Sequence, residues 1–239
     1  MSLWNRLFSD LRLPYSLSSS VTGSDPGQLA FLRAMKKDLQ QDRVLESPLE
    51  SLEVVVVDLE TTGFFPQKGD EIISIGAVAM RGTTILEAER FETLVNPQRT
   101  VPPEIEALTG IRTEDLRDAP ALLAALSRFF SFVAGRTLVA HHSRHERDFL
   151  QAGLWKTSRS KLTHRLLDTT LLFRLEDRTL ENASLEALCE RHNLPIEKRH
   201  DAYHDALAAA KLWSIYLERA MAKGFRDLLM IYEYIGRRL

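Results

Sequence analysis

The sequence predicts an α/β or α+β domain built around a mixed β-sheet. Three predicted strands follow one another directly, and helices that alternate with short strands come after them. Successive strands are typical of an antiparallel meander, whereas strands separated by helices are typical of parallel pairing. Together these two patterns predict one sheet that contains both kinds of pairing and is flanked by helices.

Length and composition fit one large domain with appendages. The 239 residues are 44% apolar, which is enough for a substantial core. We expect an N-terminal helical extension and linker over 1–51, a main domain over 52–218, and a C-terminal helix over 219–239 that packs on it. The formal net charge of −2 argues against a protein that coats nucleic acid through overall positive charge.

The sequence favours a cytoplasmic location. The single cysteine, Cys189, excludes an internal disulfide and a cysteine-based zinc site, and it fits a reducing compartment. The segment 1–20 lacks the long apolar core of a signal peptide. No stretch approaches the roughly 20 consecutive apolar residues of a membrane span, so we expect none.

Two helical segments are predicted before the main domain. An apolar stripe at helical spacing marks the first, and it consists of Trp4, Leu7, Phe8 and Leu11. This stripe could dock on the protein itself, on a partner or on a membrane surface, and we favour the first. The second helix follows a Ser- and Gly-rich connection over 18–27. Its apolar stripe consists of Leu29, Leu32, Met35 and Leu39.

The strand around which the domain is organised is predicted over 54–63, VVVVDLETTG. Four consecutive β-branched residues suit a sheet that is covered on both faces. Two more strands are predicted over 71–80 and 83–95, and a short RGT turn joins them. These three strands form the expected meander.

The remaining chain is predicted to be mainly helical. Prolines over 97–120 indicate a loop with short helices. Apolar periodicity predicts helices over 121–134, 143–152, 184–191, 201–217 and 225–239, and a buried strand over 137–140. A basic run over 156–165 is predicted as a loop that is either solvated or in contact with phosphate.

Two acids follow the valines at the end of the central strand. Asp58 and Glu60 are two positions apart, so both side chains project from the same side of a strand. Adjacent carboxylates at the rim of an apolar core need a cation or a proton between them. Oxygen ligands favour Mg²⁺ or Mn²⁺. The alternative is a strand end whose acids face water.

A second candidate group lies at the start of the helix predicted over 201–217. Asp205 can project toward the sheet, and His200 stands five residues earlier at the edge of a loop. A metal-binding Asp beside a mobile His suits a reaction in which water loses a proton. A capping Asp and a surface His are the alternative.

Histidine spacing also allows a zinc site. His200 and His204 are four residues apart, and His141 and His145 repeat that spacing. The HExxH pattern of a zinc protease is absent. A histidine-rich zinc site therefore stays an alternative to the carboxylate site.

A third acid is expected on the helix over 143–152. Glu146 and Asp148 are about 200° apart on a helix, so only one of them can face a cleft. Glu146 shares the face of Phe149 and Leu150, whereas Asp148 points away. We therefore choose Glu146.

The three segments together resemble the DEDDh family of 3′-to-5′ exonucleases, which includes the proofreading epsilon subunit of bacterial DNA polymerase III. VVVVDLETTG resembles the motif DxETTG, VAHHSRHERDFL resembles VAHNxxFDxxFL, and HDAYHDA resembles HxAxxDA. The run IEALTGI resembles a loop that often reads VHGI, with Thr109 at the usual His. Glu146 stands at the usual Asp, and His145 stands at the usual Phe.

The resemblance implies a ribonuclease H-like fold and a two-metal nuclease. Two Mg²⁺ or Mn²⁺ ions about 4 Å apart would bracket the scissile phosphate. Asp58 would bridge the ions, Glu60 and Asp205 would complete the shell of one ion and help to place the water, and Glu146 would hold the other ion. His200 would accept the proton of the attacking water, and a nucleoside 5′-monophosphate would leave from the 3′ end.

The resemblance also implies a substrate and the residues that contact it. The expected contact residues are Thr61, Thr62, Gly63, Leu108, Ile111 and His141. Ordinary loop packing is the alternative role for Leu108 and Ile111. The favoured substrate is a single-stranded DNA 3′ end, with little sequence preference. The alternatives are an RNA-processing exoribonuclease of the same family and a catalytically weak binding module of a polymerase or repair assembly.

Overall fold

A five-stranded mixed sheet forms the centre of the molecule. The computed structural model describes residues 41–237, and its strands are β1 (Glu53–Thr61), β2 (Ile72–Arg81), β3 (Thr84–Leu94), β4 (Thr137–Ala140) and β5 (Leu166–Asp168). They are arranged in the order β3-β2-β1-β4-β5. The first three strands pair in antiparallel fashion, and β4 and β5 add in parallel beyond β1. The predicted mixed sheet and its meander are confirmed.

Helices cover both faces of the sheet. They are α1 (Pro103–Thr109), α2 (Leu122–Val133), α3 (Arg144–Ser158), α4 (Thr170–Phe173), α5 (Leu185–Arg191), α6 (Ala202–Ala222) and α7 (Leu228–Gly236). Short 3₁₀ turns occur at Gln41–Glu46, Leu49–Ser51, Pro66–Lys68, Thr113–Leu116 and Arg178–Asn182. Within residues 41–237, no helix is long and apolar enough to cross a membrane.

The run of valines lies in the middle of the sheet because both of its faces are covered. Val54 and Val56 pack into one core with side chains of α6, among them the fully buried Trp213. Val55 and Val57 pack into a second core on the opposite face, with α2 and α3. Alternation along a strand thus divides one apolar run between two cores.

Gly76 brings α6 close to the central strand. It pairs with Asp58 in the β1–β2 register. A Cβ atom at Gly76 would lie 2.1 Å from the backbone carbonyl carbon of Ala202 and from the backbone nitrogen of Tyr203. The beginning of α6 can approach β2 because this side chain is absent, and the approach brings Asp205 to the end of β1.

Several element boundaries differ from the sequence prediction. The helix predicted over 143–152 continues to Ser158, so Lys156 belongs to its last turn rather than to a basic loop. The helix predicted over 201–217 continues to Ala222. The last helix begins at Leu228, because Asp227 caps it by accepting a hydrogen bond from the backbone of Met230.

The described part of the N-terminal extension lies against the C-terminal helix. Leu49 is buried, and its backbone nitrogen donates to the carbonyl oxygen of Arg226 over 2.8 Å. Leu228 and Ile231 of α7 belong to the same core as Leu49. The two apolar stripes predicted over residues 4–11 and 29–39 lie outside the described residues.

Candidate active site

Two carboxylates of strand β1 lie on the same side of the sheet. Asp58 is half-buried and Glu60 is 8% exposed. Both side chains follow the alternation of Val54 and Val56, so they lie on the face that α6 covers. The register of β1 against β2 shifts between Glu60 and Thr61, where the regular ladder ends.

The turn before α6 brings a histidine and a third carboxylate to the same place. Asp201 caps α6 by accepting from the backbone of His204, and Asp205 is buried in the first turn. His200 adopts the left-handed conformation, with φ of +57°. Potential ligand atoms of Glu60, His200 and Asp205 all lie within 4.8 Å of one another. Residues far apart in the chain therefore converge.

The two oxygens of Asp205 have different surroundings. Oδ2 accepts a hydrogen bond from the backbone nitrogen of His200 over 3.0 Å and forms an ion pair with Arg199. Oδ1 is buried and has no hydrogen-bond partner. Arg199 also reaches Glu186, with its Nε 2.6 Å from Oε1. Arg199 was not predicted, although it immediately precedes His200, the first residue of the third motif.

Helix α3 turns Glu146 inward. Its side chain is 4% exposed, and its Oε2 is buried without a hydrogen-bond partner. Asp148 is exposed, and its Oδ2 lies 3.8 Å from Nε of Arg144, one helical turn earlier. The helical face inferred from the sequence is thus the buried one.

Burial and mutual repulsion make the carboxylates hard to ionise. The pKa of Asp58 is raised well above its ordinary value by burial and then by Glu146, Glu60 and Asp205. Burial and Asp205 raise the pKa of Glu60 to about 7. Burial, with Asp168 and Glu60, raises the pKa of Glu146 to about 8. This cluster therefore needs protons or cations at neutral pH.

The donor set fits hard divalent cations. Asp205 and Glu146 each hold a buried oxygen without a hydrogen-bond partner, and such an atom is costly unless a proton or cation satisfies it. Carboxylate oxygens with one imidazole suit Mg²⁺ or Mn²⁺. Within residues 41–237, the converging group contains one histidine, His200. His204 instead contacts Asp201 over 2.8 Å.

The TTG segment forms a tightly bonded loop beside the acids. Thr61 Oγ1 donates to the carbonyl oxygen of Gly63 over 2.6 Å, and the Thr62 hydroxyl accepts from the backbone of Glu71 over 3.0 Å. A Cβ atom at Gly63 would lie 2.4 Å from the Asp70 carboxylate. These hydrogen bonds tie the segment to its own backbone and to Glu71, and a side chain at position 63 would require the Asp70 carboxylate to move.

The other predicted substrate residues have different degrees of exposure. Leu108 is 45% exposed at the end of α1, whereas Ile111 packs partly against a small core around Ile105. His141 is half-buried, and its Nδ1 lies 2.9 Å from Thr169 Oγ1. Burial and the neighbouring His142 lower the pKa of His141 to about 4, which favours the neutral ring.

Asp168 is a second residue that the sequence analysis missed. One of its oxygens accepts from the backbone of Ser143 over 2.7 Å, and the other accepts from the backbone of Thr170 over 2.9 Å. These bonds keep the pKa of Asp168 below its ordinary value despite burial. Ser143 immediately precedes α3, so Asp168 fixes the start of the helix that carries Glu146. An acid at the end of a short apolar strand was the available signal.

Comparison with known proteins gives a family. Residues 55–213 match the family model described as Exonuclease. A DNA polymerase III subunit epsilon-like protein of Rhodobacter capsulatus is 36% identical over 186 residues, which are 77% of this chain and 26% of that relative. The DNA polymerase III subunit epsilon of Rickettsia typhi is 32% identical over 170 residues, covering 69% of this chain and 74% of the relative.

A solved structure agrees with the fold. Exonuclease I of E. coli in complex with a dT13 oligonucleotide superimposes with a TM-score of 0.60 at 15% sequence identity, covering 72% of this chain and 42% of that one. The chain spans about a quarter of the length of the Rhodobacter relative. The family match spans all three motifs and the whole sheet, from β1 to the middle of α6. The chain therefore belongs to the exonuclease family.

Proposed function

We propose that this protein is a divalent-metal-dependent 3′-to-5′ exonuclease that releases nucleoside 5′-monophosphates from single-stranded DNA. The convergence of Glu60, His200 and Asp205 within 4.8 Å, beside Asp58 and Glu146, is the observation that carries the proposal. A structural acid cluster would be expected to be fully paired, whereas this one keeps buried oxygens without hydrogen-bond partners.

The carboxylates would hold two Mg²⁺ or Mn²⁺ ions. Asp58 is the central ligand in this proposal, because the negative charges of Glu146, Glu60 and Asp205 all raise the pKa of its carboxyl group. Glu60 and Asp205 would share one ion, and Glu146 would serve the other. When bound, the ions would supply Lewis acidity, which makes water easier to deprotonate and offsets charge on the phosphate.

His200 would act as the general base. Its side chain is only half-buried, and its backbone is fixed by the hydrogen bond to Asp205. As the water oxygen bonds to phosphorus, an imidazole nitrogen of His200 takes the proton of the water. The bond between phosphorus and the O3′ atom of the preceding nucleotide breaks, O3′ keeps the electron pair, and it takes a proton from solvent water. The released nucleotide keeps its 5′-phosphate, and the shortened strand ends in a 3′-hydroxyl.

The loop around Gly63 and the exposed Leu108 would receive the terminal nucleotide. Thr61 and Thr62 hold this loop in place, and Leu108 offers an apolar surface for a base. Ile111 and His141 complete the set of proposed contact residues. Contacts to phosphate and to the face of a base tolerate any sequence, so little sequence preference is expected.

DNA is the favoured substrate, and a polymerase or repair assembly is the favoured partner. The relative from Rickettsia typhi is named as a subunit of DNA polymerase III. The structural neighbour from E. coli is described in complex with a dT13 oligonucleotide. We place the protein in the cytoplasm, since its single cysteine is buried and free.

Matched DNA and RNA oligonucleotides test this proposal. Each carries a 3′-terminal label, and the purified full chain is assayed with Mg²⁺, with Mn²⁺ and after chelation. We expect labelled 5′-monophosphate from DNA, faster than from RNA, and no release after chelation or from Asp58→Ala. Asp148→Ala is the matched control, because this acid is exposed on α3. Faster release from RNA would favour the exoribonuclease, and no release from either substrate would favour a binding module.

A further inference from the structure

We propose that Arg199 is a positioning residue that orients Asp205 for cation binding. This inference rests on the proposed function, in which Asp205 is a metal ligand. Arg199 does not belong to the converging group of ligand atoms itself. It would act on the cation only through the carboxylate that it holds.

Arg199 is fixed at both ends of its guanidinium group. Nη1 forms an ion pair with Oδ2 of Asp205, and Nε and Nη2 lie 2.6 Å and 2.5 Å from Oε1 of Glu186. The side chain of Asp205 is 3% exposed, and that of Arg199 is 28% exposed. Glu186 lies in the first turn of α5. The guanidinium thus ties α5, the turn before α6 and α6 itself together.

These contacts restrict the rotation of the Asp205 carboxylate. Its Oδ2 is held by Arg199 and by the backbone nitrogen of His200 over 3.0 Å. Oδ1 is then the oxygen that has no hydrogen-bond partner, although it is buried. Because a planar guanidinium fixes direction as well as distance, Arg199 determines which oxygen stays available for a cation.

A role in charge balance alone predicts a different result for a lysine variant. Arg199 does place a positive charge beside the acidic cluster. If this charge were its whole contribution, Arg199→Lys, which keeps the charge, would bind Mn²⁺ as tightly as wild type. If orientation is the main contribution, Arg199→Lys also weakens metal binding because it lacks the planar fork, as is common when groups that orient metal ligands are changed. The Mn²⁺ affinity of Arg199→Lys therefore separates the two roles.

Manganese binding to the metal-free full chain tests the proposal directly. We expect Arg199→Met to weaken Mn²⁺ binding about 10- to 100-fold by calorimetric titration. Arg199→Lys, which keeps the charge but not the planar fork, should fall between wild type and Arg199→Met. Glu186→Gln should weaken binding slightly, because it loosens the anchor of Arg199. Higher Mn²⁺ should restore nucleotide release by these variants.

A matched control and a double variant separate this role from a general loss of structure. Arg136 is also ion-paired, to Glu89 over 3.0 Å, but it precedes β4 at the opposite end of the sheet. Arg136→Met should leave Mn²⁺ affinity unchanged. In an Asp205→Asn background, Arg199→Met should have no further effect on the remaining Mn²⁺ binding.

The results distinguish this inference from the proposed function. If wild type is active, unchanged or tighter Mn²⁺ binding by Arg199→Met would overturn only the role of Arg199. Wild-type Mn²⁺ affinity of Arg199→Lys would overturn that role as well. A wild type that neither binds Mn²⁺ nor releases nucleotide would overturn both. If Arg199→Met weakens Mn²⁺ binding by the same factor in the Asp205→Asn background as in wild type, the role of Arg199 would also be contradicted. Circular dichroism of every metal-free variant checks that the variant is folded. If Arg199→Met does not fold, Mn²⁺ binding by Arg199→Lys supplies the test.

Discussion

The backbone nitrogen of Tyr203 lies where the side chain of any residue other than glycine would project from Gly76. The two atoms would be 2.1 Å apart if Gly76 carried a Cβ atom. Gly76 pairs with Asp58 across the sheet, and Tyr203 is two residues before Asp205. One missing side chain therefore controls the approach of two candidate metal ligands.

Gly76→Ala should damage both stability and the site. The added methyl group meets backbone rather than a flexible side chain, so the start of α6 must move. We expect a loss of about 2–3 kcal/mol in unfolding free energy, measured by denaturant titration. Nucleotide release should fall at least tenfold in the fraction that remains folded.

Gly236→Ala is the control for this substitution. Gly236 ends α7, and a Cβ atom there would meet nothing within 4 Å. This variant should keep the activity of wild type, and its unfolding free energy should be unchanged or rise by up to about 1 kcal/mol. An active Gly76→Ala protein with unchanged stability would show that α6 adjusts its position without moving Asp205.

Alanine substitution should greatly reduce nucleotide release at Glu146 and hardly change it at Asp148. Glu146 is buried with an unpartnered oxygen, whereas Asp148 is exposed beside Arg144. Glu146→Ala should reduce nucleotide release at least 100-fold at saturating DNA. Asp148→Ala should stay within twofold of wild type, since exposed ion pairs contribute little to stability. A larger loss of nucleotide release in Asp148→Ala would show that Glu146 is the wrong choice for the third acid.

Local patterns were sufficient to predict four of the five strands and the inward face of α3, but not the short strand β5. Four valines before Asp58 require a strand covered on both sides, and the position of Glu146 relative to Phe149 follows from helical geometry alone. Neither inference needs a distant contact.

The contacts of Arg199 and Asp168 could not be predicted in this way. Arg199 contacts Glu186, which lies on another helix, and Asp168 accepts a hydrogen bond from the backbone nitrogen of Ser143. Such contacts form only when separate elements pack together. A single sequence shows the residue type but not the partner.

The stability of the metal-free protein should fall as pH rises from about 6.5, where unfolded histidines have largely lost their protons, to about 9. The folded-state pKa values of Glu60 and Glu146 are raised to about 7 and about 8, above the roughly 4.3 of an unfolded glutamate. The folded state therefore binds more protons than the unfolded state in this interval. The resulting stabilisation is complete below pH of about 4 and is lost as pH passes through 7 and 8.

Thermal melts of metal-free protein across this pH range measure the effect. The expected decrease is on the order of a few kcal/mol. Glu60→Gln should flatten the slope, because it removes one of the groups that lose a proton. Mn²⁺ should flatten it as well, since cations bind the ionised carboxylates. Asp168 has a lowered pKa, so its contribution changes only at more acidic pH. Stability that rises between about pH 6.5 and about pH 9 would contradict the proposed electrostatics.

Asp168→Asn should weaken the hydrogen bonds that hold the start of α3 and so displace Glu146. The two oxygens of Asp168 accept from the backbone nitrogens of Ser143 and Thr170, and an amide side chain has only one acceptor oxygen. One backbone nitrogen would then face another donor, at a cost of about 1–3 kcal/mol in unfolding free energy. Nucleotide release should fall less than in Glu146→Ala, because Glu146 is displaced rather than removed.

Asp177→Asn provides the matched control for Asp168→Asn. Asp177 also accepts from a backbone nitrogen, that of Thr179, but the two hydrogen bonds from the backbone and hydroxyl of Thr179 both reach the single oxygen Oδ1. Asparagine can make the same bonds and caps helices as well as aspartate does, so unfolding free energy should change by less than about 0.5 kcal/mol. Equal losses in the two variants would mean that the second oxygen of Asp168 does not hold α3. Asp168 would then have no role in placing Glu146.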